Sequence, residues 1–402
     1  METATASFSK KTIDDVKFSG RRALVRVDFN VPMTPEGKIA DDTRLRESLP
    51  TLRKILADGG SAVLMSHMGR PKGKVVESMR LAPIAAGLSE RLGRPVRALK
   101  DCVGPEVERE VASLKPGDVA LLENLRFHPE EEKNDPGFSK SLARLGSVYV
   151  NDAFGTAHRA HASTVGVTEH LKPRVAGYLM KKEIEYLGRI LSNPARPFVA
   201  VFGGAKVSSK LSVLKNLLTK VDRLLIGGAM TYTFVVSQGG RVGKSLCERE
   251  LADEARNILE EANRRGVEVL LPTDSRAVQD VDKPSTIQVV PSDQIPDDRE
   301  GVDIGPDTVK RFSAALRDAK TVFWNGPLGK FERPEYADGT FSFARALASS
   351  GATKVVGGGD CVSAVHGAGV ADKIDHISTG GGASMEFLEG QILPGVAALD
   401  DR

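Results

Sequence analysis

Pro197-Phe198-Val199-Ala200-Val201-Phe202-Gly203-Gly204-Ala205-Lys206-Val207-Ser208-Ser209-Lys210 lies at the middle of a 402-residue chain. Its five consecutive apolar residues, Phe198 to Phe202, entered by a proline and left through Gly-Gly, predict a buried parallel strand. Leu211, Leu214, Leu217 and Leu218 follow at the spacing of a helix laid on a sheet. Gly203 and Gly204 permit close approach to the backbone at the strand's carboxyl end, the edge where open α/β sheets bind ligands. Lys206 and Lys210 lie just beyond, and cations placed there suit a phosphate. A plain strand–helix turn with solvated lysines fits the stretch equally well. The rest of the chain decides between the two.

Outward from this point the same pattern recurs. Before it, Ala23–Val27 leads into Asp28-Phe29-Asn30, Ser61–Met65 into Ser66-His67-Met68-Gly69-Arg70, Val119–Leu122 into Glu123-Asn124-Leu125-Arg126, and Val148–Val150 into Asn151-Asp152. After it, Leu224–Ile226 ends in Gly-Gly, Val269–Leu271 in Pro272-Thr273-Asp274, and Val322–Trp324 in Asn325-Gly326-Pro327. Val355-Val356 runs into Gly357-Gly358-Gly359-Asp360, and His376–Ser378 into Thr379-Gly380-Gly381-Gly382. Short apolar runs alternating with helical stretches predict an α/β protein with parallel sheets covered on both faces. The strands are too many for one sheet. They divide near Lys181–Asn193, where Lys181 to Leu191 has helical spacing and Asn193-Pro194 stops it. The expected architecture is two doubly wound parallel-sheet domains joined by a hinge helix: residues 1–180, a linker at 181–195, and 196–388. Ile295–Glu300 reads as an exposed loop.

Composition bounds the function. Hydrophobic content of 41% with 27% charged residues is that of a soluble globular protein. A net charge of +3 from 56 basic and 53 acidic residues makes nucleic acid or membrane an unexpected main partner. Cys102, Cys247 and Cys361 are odd in number and far apart, which points to a reducing compartment without a disulfide framework or thiolate zinc site. With no signal-like apolar segment or membrane-length run, a cytoplasmic location is expected.

The strand ends of the two halves differ in chemistry. The first half carries His67, Arg70, Arg126 and Arg159, with Arg44 nearby, a set suited to a small, strongly anionic ligand. The second half is mostly glycine, with Lys206, Lys210, Asp274 and Asp360. Backbone amides and helix N-termini there suit phosphates, and Asp360 suits a phosphate-bound Mg²⁺. Any single arginine is more often a surface ion pair, but several at equivalent strand ends make that reading weaker. Gly243-Lys244-Ser245 lacks the first glycine of a P-loop, having Gln238 in its place. No dinucleotide fingerprint or Gly-x-Ser-x-Gly elbow is present. His158-x-x-His161 with Asp152 is a weak metal candidate.

Arg26–Pro32, Ser66–Pro71, Glu123–Phe127, Asp152–His161, Asn325-Gly326-Pro327 and Gly380–Ser384 together resemble phosphoglycerate kinases, in order from about Asp14 to the C-terminus. The resemblance implies an N-terminal domain for 3-phosphoglycerate, a C-terminal domain for MgATP or MgADP, and a final segment, 389–402, packed back on the first domain. By position it implies substrate contacts at Asp28, Phe29, Asn30, Arg44, His67, Met68, Gly69, Arg70, Arg126 and Arg159. It implies nucleotide contacts at Lys206, Lys210, Gly301, Asn325, Glu332, Gly358, Gly359, Asp360 and Cys361, with Asp360 linked to Mg²⁺. Lys210, Arg44, Gly380 and Gly381 are the expected catalytic set, and a monomer is expected. Two departures stand out: Cys361 replaces the usual threonine, and Lys330 a usually apolar residue. A carboxylate substrate with a pKa of about 3.5 to 4 needs no general base, in keeping with motifs that supply cations and backbone donors only. A non-catalytic two-domain anion-binding protein, and a nucleotide-dependent ligase or dehydrogenase, are the alternatives. The second glycine-rich site disfavours the former, and the missing fingerprints the latter.

Overall fold

The structure, a computed structural model, describes residues 9–402. Its first sheet uses β1 (Arg22–Arg26), β2 (Ser61–Met65), β3 (Val96–Ala98), β4 (Val119–Leu121), β5 (Val148–Asn151) and β6 (Arg174–Ala176). These lie parallel in the order β3-β4-β2-β1-β5-β6. Arg26 of β1 is level with Met65 and Asn151, and Leu64 with Leu121, so the four central strands end almost flush. The loops that follow therefore emerge along one edge. Val25, Leu64 and Val150 join Leu45 and Leu52 of the helix Thr43–Ala57 in the core beneath.

In the second half, β7 (Phe198–Phe202) forms where the apolar run predicts, with all five residues fully buried. The helix after it spans Leu211–Leu217 and buries Val213, Leu214 and Leu217, whereas Leu211 is only half-buried. The remaining strands are β8 (Arg223–Ile226), β9 (Arg241–Val242), β10 (Glu268–Leu270), β11 (Asp274–Val278), β12 (Gln288–Pro291), β13 (Gln294–Ile295) and β14 (Glu300–Ile304). After them come β15 (Thr321–Asn325), β16 (Thr353–Gly357) and β17 (His376–Ser378). A second parallel sheet runs β10-β8-β7-β15-β16-β17, with Phe202, Asn325, Gly357 and Ser378 level at its carboxyl edge. Connections from β7 lead to one side and those from β15 to the other. The two are neighbours at a topological switch point, where open sheets hold ligands.

Two smaller sheets were not expected from the sequence: antiparallel β12-β11-β14, and the two-stranded pair β13-β9. They correct the reading of Ile295–Glu300 as an exposed loop. Only Pro296, Asp297 and Asp298 are exposed; Ile295 and Arg299 are buried, and Glu300 begins β14. A charged, proline-containing run looks solvated, but β9 and β11 take up its ends.

The described residues form two compact units, residues 9–185 with 392–402, and residues 186–391. The helix Tyr178–Ser192 spans the passage from one to the other. Within the first unit the C-terminal segment is tied by Arg174 and Asp400, whose side chains meet at 2.6 Å, and by the Gly395 amide donating to the Ala157 carbonyl at 2.8 Å.

Candidate active site

The edge of the first sheet gathers cations around one another. Arg44, in the first turn of Thr43–Ala57, places its guanidinium 2.7 Å from an Asp28 carboxylate oxygen and donates to the Asn30 carbonyl at 3.2 Å. The Asn30 side chain accepts from the Gly69 amide at 2.9 Å, joining the β1 and β2 loops. Arg126, on the short 3-10 turn Leu125–Phe127, is 3% exposed and donates to the Gly69 carbonyl at 2.8 Å. Its Nε and second terminal nitrogen are buried without a hydrogen-bond partner, and the nearest carboxylate, Glu132, stands 3.5 Å from Nε. Unpaired buried donors of a guanidinium are costly, and an anion is the natural remedy. Arg159 is half-buried and Arg70 exposed. Phe29 and Met68 bury their side chains in the core, and the Asn124 side chain holds Met68 by both its amide and its carbonyl. These two residues position the loops.

The field here is strongly positive. Burial pushes the His67 ring well towards its neutral form, and Arg26, Arg126, Arg44 and Arg159 push the same way. Burial also lowers Arg126 to about 10, with Arg159 the next cause. His161 is held down to about 3 by burial and then by Arg26, Arg126 and Arg159. Between pH 6.5 and about 3 the unfolded chain holds a proton on this ring that the folded chain lacks, so its contribution to stability is lost as pH falls through that window. The urea midpoint of His161→Gln should thus fall less between pH 7 and pH 4.5 than that of the parent. Buried Asp152, raised to about 7, acts in the opposite direction in both proteins and cancels from the comparison. Equal pH slopes would refute this account of His161.

Asp152 accepts the Leu179 and Met180 amides at 2.9 and 3.3 Å, capping the helix Tyr178–Ser192. It forms no metal-like group with His158 and His161. Among the described residues, Asp101, Cys102 and His128 bring ligand atoms within 4.8 Å of one another, but Asp101 and His128 already pair at 2.7 Å.

In the second unit the β7 and β15 loops interlock by backbone. A Cβ on Gly203 would lie 2.1 Å from the Pro327 carbonyl oxygen, and one on Gly326, at φ +93°, 2.2 Å from that of Gly203. Only glycine allows this approach. It leaves the Lys210 ammonium hydrogen-bonded to the Asn325 side-chain oxygen at the switch point, while the Asn325 amide donates to the Gly357 carbonyl at 2.8 Å. Lys206 is exposed. Gly358, at φ +91°, starts the helix Gly359–Gly367 with no side-chain cap, so its first amides are open to a ligand. Gly381, at φ +52°, precedes the helix Gly382–Leu388, also without a side-chain cap; there the Ala383 amide is taken by the Gly380 carbonyl at 3.0 Å and the Gly380 amide by the Ser378 hydroxyl at 3.2 Å.

Beside these loops lies a cavity of about 220 Å³ whose lining includes Gly204, Leu246, Gly301, Leu328, Glu332 and Asp360. Leu246 leaves 49% of its surface exposed at this cavity, an apolar face suited to a flat base. Exposed Glu332 and Asp360 offer carboxylates to a ribose and a cation. Lys330 pairs with Glu300 at 3.1 Å and so lines the cavity with its charge balanced. Cys361 is fully buried, its side chain in the hydrophobic core, so neither that side chain nor an exposed backbone stands at the cavity as the sequence reading expected. Asp274, grouped by sequence with the phosphate-binding residues, is instead buried and accepts the Asp307 and Thr308 amides, capping Pro306–Ala315. Sequence reasoning missed Glu300 and Leu246, for which no local signal exists. It also left Arg26 without a role, although a lone arginine inside an apolar strand is such a signal.

The family model for phosphoglycerate kinase matches residues 13–391. The chain is 55% identical over 395 residues to the phosphoglycerate kinase of Chloroherpeton thalassium, covering 98% of this chain and 99% of that one. It is 55% identical over 394 residues to that of Moorella thermoacetica, covering 98% and 100%. Its fold superposes on the phosphoglycerate kinase structure of Coxiella burnetii with a TM-score of 0.87 at 38% identity, over 97% of this chain and 98% of that one. Two parallel sheets, a cation cluster at one edge and a glycine-lined cleft at the other agree with these matches: the chain belongs to the phosphoglycerate kinase family.

Proposed function

We propose that this chain transfers a phosphoryl group reversibly between ATP and the carboxylate of 3-phosphoglycerate, giving ADP and 1,3-bisphosphoglycerate. The two buried nitrogens of Arg126 that have no hydrogen-bond partner carry this reading, because a guanidinium edge of this kind suits two oxygens of an anion. Arg126, Arg159, Arg70, His67 and Asn30 hold 3-phosphoglycerate, with Arg44 oriented by Asp28 toward its carboxylate. The nucleotide lies along the Leu246–Glu332 cavity, its phosphates on Lys206, Lys210 and the amides of Gly358 and Gly359.

Exposed Asp360 offers a carboxylate oxygen that would fit Mg²⁺, with phosphate oxygens held on the neighbouring amides completing the ion's oxygen ligands. Bound there, the ion would neutralise phosphate charge. No titrating base is required, since the acceptor carboxylate is already ionised. The residues act by position and charge: Lys210, Arg44 and the Gly380–Gly381 amides surround the transferring group. In-line transfer needs about 3–3.5 Å between acceptor oxygen and phosphorus, so ligands on separate units must be brought together by hinge movement. Small-angle scattering should accordingly give the smallest radius of gyration when 3-phosphoglycerate and a non-hydrolysable ATP analogue are both present. A ternary complex that scatters like an extended free protein would sink the closure mechanism.

Formation of ADP on mixing with MgATP and 3-phosphoglycerate, and its absence when either is omitted, tests the activity itself. Among the described residues no helix is long and apolar enough to cross a membrane. A cytoplasmic monomer serving glycolysis, gluconeogenesis or carbon fixation is the accompanying proposal.

A further inference from the structure

Arg26 ends β1 with its side chain fully buried. A guanidinium keeps its proton in proteins, so a buried one must be matched by hydrogen bonds and counter-charge. Its Nε donates to the Ser163 hydroxyl at 2.8 Å, and that hydroxyl donates to Glu131 at 2.5 Å. The Ser163 amide gives Glu131 a second bond, to its other oxygen, at 3.0 Å. Glu131 is itself fully buried, so the serine links the guanidinium to a buried carboxyl group. One terminal nitrogen of Arg26 donates to the Val27 carbonyl at 2.5 Å. The other stands 3.2 Å from Nδ1 of His67.

A guanidinium has no lone pair with which to accept, so His67 Nδ1 must be the acceptor in this contact. The one proton of a neutral ring then sits on Nε2, which has no hydrogen-bond partner among the described residues. The competing acceptor, Asp28, is 4.0 Å from Nδ1, beyond hydrogen-bond range. We infer that Arg26 is a positioning residue: braced by Ser163 and Glu131, it fixes His67 in the Nε2–H tautomer, so that His67 meets the anionic substrate as a neutral donor. This rests on the reading that His67 contacts 3-phosphoglycerate. It gives Arg26 a role distinct from its charge, because the orientation of a hydrogen-bond donor is at stake.

The test is ring-¹⁵N nuclear magnetic resonance of the full chain labelled at histidine, with His67 assigned by loss of its signals in His67→Gln. Expected in the parent are a protonated Nε2 and an unprotonated Nδ1 before any ligand is added. Arg26→Gln, whose carboxamide can turn its oxygen to the ring, should shift the proton toward Nδ1 and weaken 3-phosphoglycerate roughly tenfold. Arg26→Lys, which can only donate, should retain the parent tautomer. A parent ring protonated on Nδ1 overturns the inference without any variant, which matters if replacing a buried arginine impairs folding. An unchanged tautomer in a folded Arg26→Gln overturns it equally. Should 3-phosphoglycerate leave the His67 signals unmoved, the substrate-site reading fails instead, while the tautomer result stands by itself.

Discussion

Replacing Lys210 with alanine is expected to lower kcat by a factor on the order of 10²–10³ while leaving KM for either substrate far less changed. The ammonium sits at the switch point between β7 and β15, tied to Asn325, with Asp360 and Cys361 as its charged and polar surroundings. Burial lowers its pKa, the mark of a cation partly stripped of water. Such a charge acts strongly on negative charge that develops nearby, because little solvent screens it. Its value should therefore appear where charge moves, in the transfer step, and a loss of about 2.7–4 kcal/mol is ordinary for one donor in such a site. Lys206 provides the internal comparison. It is exposed, so Lys206→Ala should mainly raise KM for the nucleotide. Steady-state kinetics in both directions would measure this. A Lys210→Ala enzyme with near-normal kcat and a raised KM for ATP alone would reduce Lys210 to a ground-state ligand.

What could be read from the chain was whatever depends on neighbours in sequence. The run Phe198–Phe202 is apolar throughout because both its faces are buried, and that alone marks a central parallel strand. The glycines after β7 and β15 likewise announce themselves, since side chains there would collide with the opposing backbone. The antiparallel β11, β12 and β14 gave no such signal. Polar and charged residues interrupt β11 and β14 although most of their positions are buried, β12 is largely exposed, and the sheet exists because β11 pairs with residues up to 29 positions away, Ser275 with Ile304. Asp274 shows the same limit at one residue. An aspartate after an apolar run looks like a ligand, and only the fold reveals the helix start at Pro306 that uses its carboxylate. The Glu300–Lys330 pair and the Arg26–Ser163–Glu131 series are also products of distant segments meeting. Charge in a strand can be noticed in a sequence; its partner cannot.

Arg126→Ala should weaken 3-phosphoglycerate by at least on the order of 10²-fold and leave MgADP binding to the free enzyme nearly unchanged. The expectation follows from what the side chain already does without ligand. One nitrogen is committed to the Gly69 carbonyl, and the two others are buried and unpaired. Each hydrogen bond they form to a charged oxygen contributes about 1.5–3 kcal/mol, so losing both removes enough for the stated factor. Arg126→Lys should recover only part of it, since an ammonium keeps the charge but not the planar fork that meets two oxygens at once. Arg159→Ala should weaken the same ligand by less, because Arg159 is half-buried and more open to solvent. The nucleotide cavity is lined entirely by residues of the other unit, which is why MgADP should be indifferent to either change. Calorimetry with each ligand, on variants whose melting shows them folded, separates the cases. If Arg126→Ala weakened both ligands alike, the anion site would not belong to 3-phosphoglycerate alone, and the division of substrates between the two sheets would have to be redrawn.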